Sequence, residues 1–202
     1  MKEVAETLNE LAGVFERFGL PYAVIGGIAV RAYAIPRPTF DVDFTVAVPR
    51  ARLPEVFAAV EEEGYTAAVE EEGYTVPQSY QSGWVDSVAG MPLVKFRFFV
   101  KERGVDADIF LAETDFQKEI VKRRKMVETP DGNVWLATPE DVVLLKVIAN
   151  RGRDLSDVND ILFTQGQLDD DYMRKWAVEL GVEERLRDIM TQYHEEYSGD
   201  DQ

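Results

Sequence analysis

The chain has 202 residues, 46% hydrophobic and 11% aromatic, enough for one sizeable domain or a core with a smaller appendage. It contains no cysteine, which excludes disulfides, thiolate zinc sites and cysteine nucleophiles. Its net charge of −16, from 22 basic and 38 acidic residues, disfavours non-specific contact with nucleic-acid backbones. No run approaches the length of a membrane span, and the start MKEVAETLNEL is polar and periodic rather than a signal peptide, so a cytoplasmic protein without a membrane partner is expected. The single histidine, His194, lies in the polar tail YHEEYSGDDQ, far from any recognisable pocket motif. Catalysis would then rest on carboxylates, lysines, hydroxyls or a bound metal.

In chain order, Val4, Leu8, Leu11, Phe15 and Phe18 mark one apolar stripe of a helix over residues 2–18, stopped by Gly19. Tyr22–Ile25 reads as a buried strand, and Gly26-Gly27 as a turn into a helix over about 28–34. Pro36 and Pro38 force an extended connection. Asp41–Val48 is the clearest strand: Val42, Phe44, Val46 and Val48 share one face, and Asp41, Asp43, Thr45 and Ala47 the other. A helix is expected over 54–63, closed by Gly64. VEEEGYT then occurs at 60–66 and again at 69–75, which suggests a lengthened edge hairpin or loop, and residues 77–90 read as an exposed Ser/Gly/Gln loop.

Strands are expected over 93–100 and 105–110, joined by a turn at 102–104. Residues 116–125 form a basic amphipathic run; within it KEIVKRRK, 118–125, carries five basic side chains and offers either a solvated helix face or a phosphate-contacting patch. A short strand over 133–137 closes the sheet, and Thr138-Pro139-Glu140-Asp141 starts a helix that runs to about Asn150. Further helices follow over about 156–163, 169–179 and 183–197. The expected class is α+β: a mixed β-sheet with helices on one face over 1–137, carrying a helical part over 138–202 packed on it as one compact unit.

Three features carry chemistry. Asp41 and Asp43, two apart on a strand, share a face about 7 Å apart, a spacing from which carboxylates can converge on a pair of divalent cations. The Gly26-Gly27 turn leaves bare backbone at a helix start, where phosphates can approach. No GxxxxGK[ST] or GxGxxG is present, which excludes a P-loop ATPase and a dinucleotide fold. A later strand, Val105–Phe110, offers Asp106 and Asp108 on one face, either of which can supply a third carboxylate.

The order strand, Gly-Gly, helix, Asp-x-Asp strand and later acidic strand resembles the nucleotidyltransferase superfamily related to polymerase beta. Ile25-Gly26-Gly27, thirteen residues and Asp41-Val42-Asp43-Phe44 match its signature. Arg37-Pro38-Thr39 is similar to the R-x-T of the AbiEii/AbiGii-like branch, and TPEDVVLLKVIANRGRDLSDVNDIL resembles that branch's helical motif, with Lys146 followed by Arg153-Asp154-x-x-Asp157. The resemblance covers about residues 20–165. It implies a minimal nucleotidyltransferase core that transfers a nucleoside monophosphate from an NTP such as ATP to an acceptor hydroxyl, with two Mg²⁺ or Mn²⁺ ions per active site.

By the same resemblance, Asp41 and Asp43 are metal ligands, and Asp108 completes the catalytic set because the family's third acid is usually followed by two apolar residues. Gly26 and Gly27 cradle the triphosphate, with Arg37 and Thr39 also placed in the nucleotide site. Lys146 contacts phosphate, and Asp157 holds Lys146 or a substrate hydroxyl. The branch includes toxins of toxin–antitoxin systems, which implies an RNA 3′ end, tRNA above all, or a protein hydroxyl as acceptor and an antitoxin as partner. The alternatives are an aminoglycoside-type small-molecule acceptor, which the acidic surface suits, and a non-catalytic binding module on the same fold.

Overall fold

The computed structural model describes residues 2–62, 65–67, 86–100, 103–129 and 132–197. Around strand β2 (Asp41–Val46) the alternation of the sequence becomes a two-faced element: Val42, Phe44 and Val46 are buried, and Asp41 and Asp43 are half-exposed. Helix α1 (Lys2–Arg17) packs its apolar stripe on this strand. Phe15 meets Phe44 edge-on at 5.1 Å, and Tyr22 of strand β1 (Tyr22–Ile25) completes a three-ring cluster with both. Tilted and edge-on pairs of this kind add about 0.5–1.5 kcal/mol each beyond the area they bury. Burial, together with Glu16 beside it, raises the pKa of the Tyr22 hydroxyl, which donates to the Glu16 carboxylate.

Between β1 and β2 lies helix α2 (Gly26–Tyr33), which starts at the first glycine rather than after the pair. Helix α3 (Leu53–Glu62) follows β2, then strands β3 (Tyr65–Ala67), β4 (Asp86–Val88), β5 (Met91–Val100) and β6 (Arg103–Leu111). The first VEEEGYT copy therefore spans a helix end and a short strand, while the second, at 69–75, lies outside the described residues. Within the expected loop 77–90, residues 86–88 form β4 instead. Ala89 and Gly90, with φ of 51° and 76°, make the two-residue turn back into β5. Positive φ at both central positions is what the type I′ form of a two-residue hairpin turn demands, and Ala89 fills a place where glycine or asparagine is the usual resident.

Helix α4 (Asp115–Arg123) begins at a capping box, Thr114 with Gln117, and stops before the basic run ends. Lys125 opens strand β7 (Lys125–Thr129), which pairs antiparallel with β8 (Gly132–Leu136). The expected helix to residue 125 is corrected here: Met126-Val127 alternates into an edge strand. The sheet order is β3-β5-β6-β2-β1-β8-β7, with β4 on β5. β2 runs parallel to β6 and β1 parallel to β8, while the other pairs are antiparallel, so the sheet is mixed as expected.

Among the described residues four helices follow: α5 (Pro139–Ala149), α6 (Gly152–Gln165), α7 (Asp170–Glu179) and α8 (Glu183–Tyr197). Thr138 caps α5 by accepting from the Asp141 N–H, and Asn150 ends it in the left-handed region. Gly152 is the first residue of α6, not a break before a later helix. The chain divides into two compact units. The first comprises residues 1–28 and 37–137; the second comprises 138–202 together with 29–36, the back of α2 and the residues just after it. Among the described residues no helix is long and apolar enough to cross a membrane.

Candidate functional site

The parallel register of β2 and β6 places Asp41 beside Asp106 and Asp43 beside Asp108. Neighbouring strands lie about 4.8 Å apart and alternate residues about 7 Å apart, so the four aspartates form two ranks on one face of the sheet. Sequence parity left Asp106 and Asp108 equivalent. In the structure Asp106 is exposed, whereas Asp108 is half-buried next to Asp43.

The glycine pair stands against the same carboxylates. Strand β1 delivers it there, because Ile25 pairs with Asp43 and Gly26 follows directly. Gly26 has φ +63°, a conformation L side chains rarely adopt, and a Cβ at this residue would lie 1.8 Å from Asp43 Oδ2. At Gly27 a Cβ would lie 2.4 Å from Thr39 Oγ1 and 3.8 Å from Asp41 Oδ1. Thr39 is only 3% exposed, and its hydroxyl donates to Asp41 Oδ1 at 2.8 Å. Each glycine thus leaves room for oxygens on or just before β2: Gly26 for Asp43, Gly27 for Thr39 and through it Asp41.

Of the residues expected in the site, Gly26, Gly27, Thr39, Asp41 and Asp43 are brought together, and Asp108 flanks Asp43 in register. Arg37 is half-buried and donates from Nη1 to the Pro38 carbonyl at 3.3 Å. Among the described residues no three Asp, Glu or His side chains converge, as they stand, into a metal cage. The available donors are nonetheless carboxylate oxygens beside bare glycine backbone. That chemistry fits a hard divalent cation, which keeps waters and substrate phosphates as its remaining ligands.

In the second unit, Lys146 of α5 is buried. Its ammonium lies 2.8 Å from Asp154 Oδ1 and 2.7 Å from Asp157 Oδ2, both on α6. Asp157 therefore holds Lys146, and Asp154 holds it equally. Arg151 adds hydrogen bonds to Asp154 from its backbone N–H and its guanidinium. Burial pushes the Asp154 carboxyl up, but the hydrogen bonds from Arg151 and Lys146 outweigh it and bring the pKa down to about 2. The sequence marked Asp154 as part of a motif but gave it no role; an acid at the third position of α6, eight residues after a helical lysine, was the available signal. A third buried acid, Asp141, accepts from the Thr138 and Tyr172 hydroxyls, and helix-start chemistry alone pointed to it.

The basic run is largely committed to local partners. Lys118 pairs with Asp115 at 3.5 Å and Lys122 with Glu119 at 3.2 Å, each within one turn of α4. Arg124 stacks over Trp135 at 4.6 Å and donates to the Val121 carbonyl.

No model of a known protein family matches the chain, and no curated protein matches it in sequence. Solved structures do match. An antigenic nucleotidyltransferase-like protein from Paracoccidioides brasiliensis superposes with a TM-score of 0.61 at 14% identity, over 98% of this chain and 89% of the other. The antibiotic-resistance factor ANT(2″)-Ia, solved with adenylyl-2″-tobramycin, matches with a TM-score of 0.50 at 14% identity, over 96% of this chain and 98% of that one. A Thermotoga maritima protein assigned to the nucleotidyltransferases matches with a TM-score of 0.51 at 11% identity, over 80% and 94% of the two chains. At these identities it is architecture that is shared, and the architecture of this chain is the nucleotidyltransferase fold.

Proposed function

We propose that the protein is a metal-dependent nucleotidyltransferase that moves a nucleoside monophosphate from an NTP to an acceptor hydroxyl and releases pyrophosphate. The observation that carries this reading is the set of acids on paired strands, Asp41, Asp43 and Asp108, with the Gly26-Gly27 helix start against the first two. Asp41, Asp43 and Asp108 would hold the divalent ions. Bound there, Mg²⁺ or Mn²⁺ supplies charge neutralisation on the transferring phosphate and at the attacking and leaving oxygens.

The protein's own contribution is mainly positioning. The N–H groups at the start of α2 would face the triphosphate. Asp108, next in rank to Asp43, takes up the acceptor's proton as its oxygen bonds to the α-phosphorus and the bond to the pyrophosphate oxygen breaks. Asp154 and Asp157 hold the Lys146 ammonium, so in this reading Lys146 ties α5 to α6.

For the acceptor, a small cationic polyol is favoured. The chain carries a net charge of −16, and Lys118, Lys122 and Arg124 of the basic run are engaged with neighbours. The match to ANT(2″)-Ia along most of both chains supports the same choice. An RNA 3′ end or a protein hydroxyl, with an antitoxin as regulator, is the other reading; the Arg37-Pro38-Thr39 motif favours it. Incubation with each α-³²P-labelled NTP and Mg²⁺, against an aminoglycoside panel, total tRNA and protein lysate, separates them. Label on an aminoglycoside supports the first reading, label on tRNA or protein the second, and the absence of any labelled product rejects transferase activity towards these acceptors.

A further inference from the structure

The resemblance placed Thr39 and the glycines in the nucleotide site, and the structure adds a direct contact between Thr39 and the first of the two aspartates. The Thr39 side chain is buried, and its hydroxyl is engaged with Asp41 Oδ1 at 2.8 Å. That hydroxyl also occupies the space where a Cβ on residue 27 would sit, at 2.4 Å. A contact under 3 Å cannot be met by a small adjustment. Thr39 is β-branched and anchored between Pro38 and the first residue of β2, so its side chain has few other rotamers to move into.

We infer that Thr39 is a positioning residue that fixes the Asp41 carboxylate, and that Gly27 is required chiefly as the clearance that admits the Thr39 hydroxyl. This rests on the proposed metal-binding role of Asp41 for its functional meaning, but not for its geometry. One donor hydrogen bond leaves the second carboxylate oxygen, Oδ2, oriented for a ligand. It also restrains the Asp41 side chain before anything binds. Groups that orient a metal-binding carboxylate in this way change affinity about 10–100-fold when removed. Glycine at residue 27 and threonine at residue 39 then form one device, twelve residues apart in sequence and in contact in space.

The test uses the full chain and four variants: Thr39→Val, Thr39→Ser, Gly27→Ala and the Gly27→Ala/Thr39→Val double. Scalar couplings about the Asp41 Cα–Cβ bond, measured without metal, report whether one rotamer is held. Mn²⁺ titration by electron paramagnetic resonance reports the consequence for binding, and thermal midpoints confirm that each variant is folded. The wild type and Thr39→Ser should show one Asp41 rotamer. Thr39→Val and Gly27→Ala should show averaging, with Mn²⁺ affinity lower by about tenfold or more. In Asp41 couplings and Mn²⁺ affinity, Gly27→Ala should add little once Thr39 lacks its hydroxyl, because both changes remove the same hydrogen bond. The thermal midpoint of the double should still fall, because the valine methyl takes the hydroxyl's place against residue 27.

Unchanged Asp41 couplings in Thr39→Val would overturn the proposal, as would Thr39→Ser behaving like Thr39→Val. If the wild type held one rotamer but bound no Mn²⁺, the metal reading would fall while the positioning role stood. Should Gly27→Ala not fold, the comparison of valine with serine at residue 39 still decides the matter.

Discussion

Asp41 and Asp43 differ from their amides by a charge and by little else in shape, so Asn at either position isolates the electrostatic role. Transfer should fall by about a thousandfold in Asp41→Asn or Asp43→Asn, equivalent to about 4 kcal/mol of lost charge stabilisation, with circular dichroism unchanged. Near-normal turnover in either variant would remove that residue from the metal site. Gly26 admits no such mild change. Alanine there meets Asp43 Oδ2 at 1.8 Å on a backbone with φ +63°, so Gly26→Ala should lose both activity and about 1–3 kcal/mol of stability in denaturant titrations. Tyr33 offers the opposite case. Its hydroxyl is buried with no hydrogen-bond partner among the described residues, and burial together with Glu140 and Asp141 pushes its pKa up to about 12. Phenylalanine deletes an unsatisfied polar atom and keeps the ring, so Tyr33→Phe should be neutral or more stable by up to about 1 kcal/mol. A clear loss would mean that the hydroxyl has a partner in solution.

At the scale of elements, α5 and α6 are joined by a buried lysine between two buried acids. Replacing Lys146 with methionine removes the cation that Asp154 and Asp157 share, Arg151 remaining on Asp154, and should destabilise the fold by about 3–5 kcal/mol. The Asp154 carboxyl, ordinarily near 3.8, is held near 2 in the folded chain. Its stabilising contribution is therefore complete above about pH 4 and is lost as the pH falls towards 2. Urea titrations across that window should show wild-type stability falling more steeply than that of Asp154→Asn. Parallel acid limbs would remove Asp154 as the source.

What could be read from the sequence at this scale follows from how local each signal is. β2 was legible because strict alternation from Asp41 to Val46 has one structural solution, and α8 because its amphipathic period is long. β7 was not, since the basic run of α4 continues through Lys125 and hides the change of period at Met126. β4 is three residues long beside an Ala-Gly turn, too short for any periodicity to show. The acidic strand pair was visible in the sequence, but the greater exposure of Asp106 than of Asp108 is set by the elements packed around β6. The hydrogen bond from Thr39 to Asp41, and the room Gly27 makes for it, depend on β1, α2 and β2 meeting at one corner. No stretch of sequence displays that meeting.

For the whole molecule, charge is the dominant property. At −16, association with a polycationic acceptor should be steered by the field, so its KM should rise as NaCl increases from 50 to about 300 mM, while that of a neutral acceptor should not. Total tRNA should show little retention in filter binding at about 0.15 M salt. Tight retention would favour the RNA reading.

The crossing of α2 from one compact unit to the other bears on how this protein can be taken apart. Its front, with the glycines, belongs to the unit that bears the aspartates, while Ala29–Pro36 belongs with the last four helices. Within that helical unit Gln165 donates to the Tyr33 carbonyl, and Ala29, Val30 and Ala34 are buried. A gene cut after the codon for Ala137 would leave the front product with an apolar octapeptide stripped of its companions and the rear product with an unfilled slot. The halves should therefore express poorly apart, and co-expression should restore solubility to both. Of the three points where the chain passes between the units, only that between Ile28 and Ala29 lies inside a helix, so a single cut after Ala137 does not separate them cleanly.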